Sequence, residues 1–467
     1  MANSEPRRRL LIIGLDAVPP EFLFDRLLPV MPNIRRLYEH GGRAPLRSTD
    51  PPITVPAWPV MFTGIDPGSM GFYGFRHRRA HAYFDSYVPA SNLLPVPTFF
   101  QLLSQRGRRV AVIGVPPGYP PPAVNGVYIS DFLTPGGRTD YTYPPSLRME
   151  IESRFGPYRF DVVFRAQERV KLYDDIRAMT RQRFAIAESL YAREKWDIFA
   201  IHEIGTDRLS HAYWKYFDHT HPEYVPGNPF EHVAEQYYAE LDVAIGKLLA
   251  LADEHTAVLI VSDHGSMRMS GCFCVNQWLQ EKGYLALKKP VAAGTPLEKA
   301  EIDWSRTRVW GAGGYYARLF FNLRGREPEG IVAAEELPAL RAQLERDFAG
   351  LKMPDGSPMK VDILDPNVIY RSVRGDPPDL MAYFDDLRWR SAGTMGYPTH
   401  FLRENDTGPD DAVHGFEGVF LFYDPEHPEG RELGPQKILD VTPTLLRWLR
   451  EPIPDHVQGK AIPGIGP

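Results

Sequence analysis

Cysteine is nearly absent. The 467-residue chain has two, Cys272 and Cys274. With one residue between them they are poorly placed to bridge each other, so a disulfide framework is excluded as a source of stability. Two thiols do not make a zinc site either, and the plainer reading is two small apolar residues in a strand. Long apolar runs are missing as well. No stretch approaches the roughly 20 residues that cross a bilayer, which excludes a membrane-spanning helix. Arg7-Arg8-Arg9 followed by Leu10 begins like a secretory leader, but Asp16 breaks the apolar run and no small-residue cleavage site follows. A cytoplasmic location is therefore expected. There is no basic excess: the net charge of -6 leaves no electrostatic footprint for nucleic acid. Repeats and low-complexity segments are also lacking.

What remains is the composition of a globular protein with room for a large core, 43% hydrophobic and 24% charged. Proline is plentiful, 45 residues, about twice the usual ~5%, and implies rigid loops. Residues 10–16, 109–114, 196–202 and 258–262 read as buried strands rich in Val, Ile and Leu. Between them lie helical patterns, the longest over residues 230–253 with Val233, Tyr237, Leu241, Ile245 and Leu248 on one side. Alternating strand and helix predicts an α/β fold, a mostly parallel sheet with helices on both faces. Beyond residue 290 the texture changes. Residues 291–375 are expected to form a smaller α+β insertion or cap, with a helix over 333–348. The main sheet is expected to resume at residues 379–384, so that 1–290 and 376–467 make one core.

The chemistry-bearing residues gather at strand ends. Asp16 ends the first strand, and Asp263-His264 end the strand 258–262. Asp207 and His211 follow the strand 196–202, and His414 sits in a loop before another strand. Four residues apart, Asp207 and His211 share one face of a helical turn. Pro56 marks a helix beginning just after Thr54, which places Thr54 near the N-cap. Singly, each has a plain role as a turn carboxylate, loop histidine or cap. Jointly they suit two metal ions, one held by Asp16, Thr54, Asp263 and His264, the other by Asp207, His211 and His414. Mixed nitrogen and oxygen ligands favour zinc, with manganese or iron as alternatives. Metal coordination activates a hydroxyl as a nucleophile, and a metal pair clamps the attacking and leaving oxygens of a displacement at phosphorus.

The ordered set Gly14-Leu15-Asp16, Thr54 to Trp58, Thr63-Gly64, Asp207 with His211, Ser262 to Gly265 and His414-Gly415 resembles the alkaline phosphatase superfamily. Within it the chain is most similar to the type I phosphodiesterase/nucleotide pyrophosphatase group. The resemblance implies a metal-dependent phosphodiesterase with Thr54 as the phosphorylated nucleophile and the six acidic and imidazole residues as ligands. Its substrate would be a small phosphate ester, such as a nucleotide. There are departures. Met70 stands where those phosphodiesterases carry a histidine, and the asparagine expected a few residues later is missing from Gly71 to Phe75. Arg76 and Arg78 are the expected stand-ins on a phosphate oxygen, against a plainer place on a solvated loop. Trp58 and Phe75 are candidates to stack a base, against a plainer role in packing. A phosphomonoesterase on the same metals is the alternative enzyme, and a metal-bound binding protein is the alternative of another class. Sulfatase chemistry is disfavoured, because Thr54 to Trp58 lacks both the convertible Cys or Ser and the arginine of the sulfatase motif.

Overall fold

The strand Arg9–Leu15 lies inside a ten-stranded sheet in the computed structural model, which describes residues 7–466. On one side of it runs Thr256–Val261. On the other run Ile198–Glu203, Val110–Ile113 and Gly126–Ile129, and with Arg9–Leu15 and Thr256–Val261 these make five parallel strands. Antiparallel strands close the sheet: Glu417–Tyr423 and Gly42–Arg47 at one side, Thr142–Tyr143 at the other. Central strands of such a sheet have no solvent face, which is why their sequences are apolar runs rather than alternations. Every residue of Thr256–Val261 and of Ile198–Glu203 is buried. The helices Arg169–Tyr191 and Val233–Leu251 pack on each other beside them.

Register sets up the site. Gly14 pairs with His202 on one side and Val261 on the other. The carboxyl ends of three parallel strands are thus level, and the residues that follow them, Asp16 and Asp263 among them, collect at one edge. Ligands in open α/β sheets gather outside such ends.

The chain divides into two compact units, residues 1–70, 89–266 and 414–467 in the first and residues 71–88 and 267–413 in the second. This differs from the expected insertion of 291–375. The strand Leu380–Phe384 does not resume the main sheet; it pairs with Ala317–Phe321 and Val361–Leu364 in a seven-stranded sheet of the second unit. A buried apolar strand reads alike in either sheet, and only its hydrogen-bonding neighbours decide. Helix Leu337–Ala349 covers this unit's own core, where Phe348 stacks on Trp278. Cys272 and Cys274 are free and buried beside Ala392. Among the described residues, no helix is long and apolar enough to cross a membrane.

Candidate active site

Thr54 is the first residue of the helix Thr54–Thr63; Ile53, in extended conformation, is its N-cap. The boundary lies one residue from the expected one, and it has a consequence. The Thr54 hydroxyl makes no cap bond and instead lies 3.1 Å from His264 Nε2. His264 Nδ1 lies 3.0 Å from the Gly265 carbonyl, which can only accept, so Nδ1 carries the hydrogen and Nε2 keeps its lone pair. The same reasoning applies to His414, whose Nδ1 lies 2.9 Å from the Pro52 carbonyl. Backbone partners of this kind orient imidazoles that bind metal through the other nitrogen. The His264 and His414 rings stack 3.8 Å apart.

The spacing of Asp207 and His211 works as expected. Both lie on the helix Gly205–Phe217, and His211 Nε2 is 3.2 Å from Asp207 Oδ1. His414 Nε2 is 3.7 Å from the same oxygen. Asp207, His211 and His414 bring ligand atoms within 4.8 Å of one another, and Asp16, Asp263 and His264 do the same. All six side chains are buried.

Each of the three carboxylates has one oxygen held by a protein donor and the other left alone. Asp16 Oδ2 accepts from Trp58 Nε1 at 2.8 Å and lies 2.8 Å from His202 Nε2. Asp207 Oδ2 accepts from Arg208 at 2.5 Å, and Asp263 Oδ1 from the Ala17 amide at 3.4 Å. Asp16 Oδ1, Asp207 Oδ1 and Asp263 Oδ2 are buried with no hydrogen-bond partner. A buried carboxylate oxygen without a donor is costly. Three of them turned toward imidazoles make a candidate cation site, and the residues fit the two metal ions the spacing suggested. The electrostatics agree. Burial, and then repulsion from Asp16, raise Asp263 well above the ordinary carboxylate value. Burial also works against the charge of Asp207, but His211 and Arg208 outweigh it and hold that carboxyl well below its ordinary value. Burial lowers both His264 and His414, the latter also through His264 and His211, and keeps them neutral and able to ligate.

The chain matches the model of the family described as type I phosphodiesterase / nucleotide pyrophosphatase over residues 10–417. It belongs to that family. It is accordingly a phosphoester hydrolase of phosphodiesterase/pyrophosphatase type, and the family is metal-dependent. Among solved structures it is similar to human ectonucleotide pyrophosphatase/phosphodiesterase 5, with a TM-score of 0.57, 12% identity and 97% of each chain covered. It is also similar to phosphonoacetate hydrolase from Sinorhizobium meliloti 1021 in complex with phosphonoformate, with a TM-score of 0.59, 17% identity and 94% of each chain covered. At these identities the likeness is one of fold. A search of curated proteins finds no match.

For this phosphodiesterase-family chain, Trp58 lies in the first unit, and Phe75, Arg76 and Arg78 lie in the second. Trp58 is fully buried, packs edge-on against His202 and donates to Asp16. It has no face left for a base and instead orients the Asp16 carboxylate. Arg78 is buried in the second unit, where Glu327 and Asp376 take its two terminal nitrogens. The solvated loop is therefore the wrong setting for Arg78, and its terminal nitrogens are already bound. Arg76 is exposed and Phe75 half-buried, beside the ring of Tyr315. Sequence reasoning passed over His202, Arg208 and Ser262. Arg208 joins Asp207 to Asp161, with which it forms two further hydrogen bonds of 2.7 and 2.8 Å. Ser262 Oγ accepts from the Val18 amide and donates to the His264 carbonyl, tying together the two turns that carry Asp16 and His264. His202 was visible as a polar residue in an otherwise apolar strand, the same signal that marked Asp16.

Proposed function

We propose that this protein hydrolyses a phosphate diester through a phosphorylated Thr54, with Asp16, Thr54, Asp263 and His264 holding one divalent ion and Asp207, His211 and His414 the other. The observation that carries the reading is the set of three buried carboxylates, each with one oxygen held and one unpartnered, around a threonine hydroxyl excused from capping its helix. When bound, the ions supply Lewis acidity to the phosphate oxygens and lower the pKa of the nucleophile and of water. Zinc suits the mixed nitrogen and oxygen donors best. Thr54 Oγ1 forms a bond to phosphorus as the bond to the leaving oxygen breaks, and the hydroxyl proton ends on that oxygen, which departs as the alcohol. Water then cleaves the Thr54–phosphate bond, releasing a phosphate monoester and restoring the hydroxyl. The amides at the start of the helix Thr54–Thr63 favour the anion throughout.

The test compares initial rates on bis-p-nitrophenyl phosphate and p-nitrophenyl phosphate, with added zinc or manganese and with a chelator. Faster, chelator-sensitive diester cleavage supports the reading. Faster monoester cleavage moves it to a phosphatase, and no cleavage of either leaves a binding protein. Thr54→Ala is expected to abolish turnover while circular dichroism stays unchanged. Turnover that survives this substitution removes the covalent step.

A further inference from the structure

A cleft of about 170 Å³ opens within the second unit, and three arginines line it: Arg76, Arg78 and Arg318. Among the described residues, neither Arg76 nor Arg318 has a carboxylate within ion-pair distance; the terminal nitrogen Nη1 of Arg318 donates to the Arg76 carbonyl at 2.5 Å. Burial lowers Arg318 from its ordinary value, and the neighbouring Arg76 charge acts in the same direction. Two carboxylates share the lining, but Asp85 faces Arg79 at 3.8 Å and Glu298 reaches neither arginine. Arg78 adds a fixed donor. Glu327 at 3.0 Å and Asp376 at 2.8 Å lock its terminal nitrogens, and its guanidinium lies over the Phe320 ring at 4.5 Å. With 7% of its surface exposed, it keeps a buried Nε that has no partner. Gathering guanidinium groups in a partly desolvated cleft is unfavourable unless an anion joins them. The rest of the lining is apolar and flat. Phe84 is 41% exposed beside Tyr83, whose ring stacks at 3.5 Å on Trp304, and Trp310 meets that stack edge-on.

We propose that this cleft binds a small anion of phosphate or carboxylate type carrying a planar ring, with Arg318 and Arg76 on the charged end and Phe84 against the ring. Arg318 Nη1 donates to the Arg76 carbonyl, which ties the two arginines together before ligand arrives and favours binding. The proposal goes beyond the hydrolytic reading and does not depend on it.

Calorimetric titration of the full chain with phenylphosphonate tests it. Arg318→Met and the exposed-site variant Arg76→Met are each expected to weaken one binding event roughly tenfold or more, the size of a lost charge-assisted hydrogen bond. Arg318→Lys is expected to recover part of the loss, which separates charge from misfolding. That event is also expected to survive Asp16→Asn. Benzoate run beside phenylphosphonate tells a carboxylate from a phosphate ligand, and tighter binding by either supports the site. The proposal is overturned by an isotherm that neither arginine variant moves, by loss of all binding in Asp16→Asn, by benzyl alcohol binding as tightly as the two anions, or by no binding of either anion.

Discussion

Asp16 divides its work between its two oxygens. One is held by Trp58 and His202, and the other is left for a cation. His202 is itself fixed, because its Nδ1 lies 2.8 Å from the Gly114 carbonyl. His202→Leu therefore leaves the ligand set intact but lets the Asp16 carboxylate turn. Metal affinity is expected to fall by roughly 10- to 100-fold, the usual cost of losing a partner that orients a ligand. Competition with a chromophoric chelator reads this directly, and unchanged affinity would return His202 to packing. His77 offers a separate test in the second unit. The Tyr73 amide donates to its Nε2 at 2.6 Å. Burial, and then the Arg318 charge, lower His77 from 6.5 to about 3. Between those values the unfolded chain holds a proton that the folded chain does not, so this residue's contribution is complete above 6.5 and is lost as pH falls toward 3. The slope is about 1.4 kcal/mol per pH unit within that window. His77→Gln keeps an acceptor without the proton, so urea unfolding at pH 7 and pH 5 is expected to show the variant losing less stability than the parent. Parallel losses would contradict the assignment. At this scale the two buried acidic and imidazole clusters were legible, because such residues at the ends of apolar strands stand out. Trp58 was read as a candidate to stack a base and His202 was passed over, because their partner lies 42 and 186 residues away and a core indole or imidazole commonly does no more than pack.

The strand Arg9–Leu15 and the helix Thr54–Thr63 meet at one glycine. A Cβ at Gly14 would lie 2.4 Å from the far edge of the Trp58 ring, closer than any real contact. Trp58 cannot retreat freely, since it is packed against His202 and Phe62 and its nitrogen is committed to Asp16. Gly14→Ala is thus expected to destabilise the protein by about 1–3 kcal/mol, the range for overpacking a core. It should also weaken metal binding, because the helix and the Asp16 carboxylate are coupled through the indole. The urea midpoint together with a metal titration checks both effects; a loss of stability with unaltered metal affinity would break that coupling. The elements themselves were readable from local signals. Periodicity gave the helix Val233–Leu251, and a four-residue spacing put Asp207 and His211 on one face. The close approach of strand and helix was not readable, since a lone glycine in a strand announces a bulge or a near neighbour without saying which.

The division of the chain into two units is a property of the whole molecule, and it was the least legible. Leu380–Phe384 carries the same apolar signature as the central strands of the other sheet, and only pairing places it in the second unit. The units differ in what a metal does for them. All seven residues assigned to metal lie in the first, and three of them keep a buried carboxylate oxygen with no hydrogen-bond partner. A cation that binds only the folded state stabilises it by about 2.7 kcal/mol at a concentration 100 times its dissociation constant. Chelation should withdraw that stabilisation from the first unit alone. Hydrogen exchange with and without chelator is expected to show faster exchange in Arg9–Leu15, Ile198–Glu203 and Thr256–Val261, the strands whose ends carry or adjoin the ligands. Val309–Ala312 and Leu380–Phe384 should keep their protection, because their sheet contains none of those residues. Exchange that rises equally in both sheets would mean that the two units unfold as one. Exchange that rises in neither would mean that the orphaned carboxylates do not hold the cation, and the catalytic reading would fall with them.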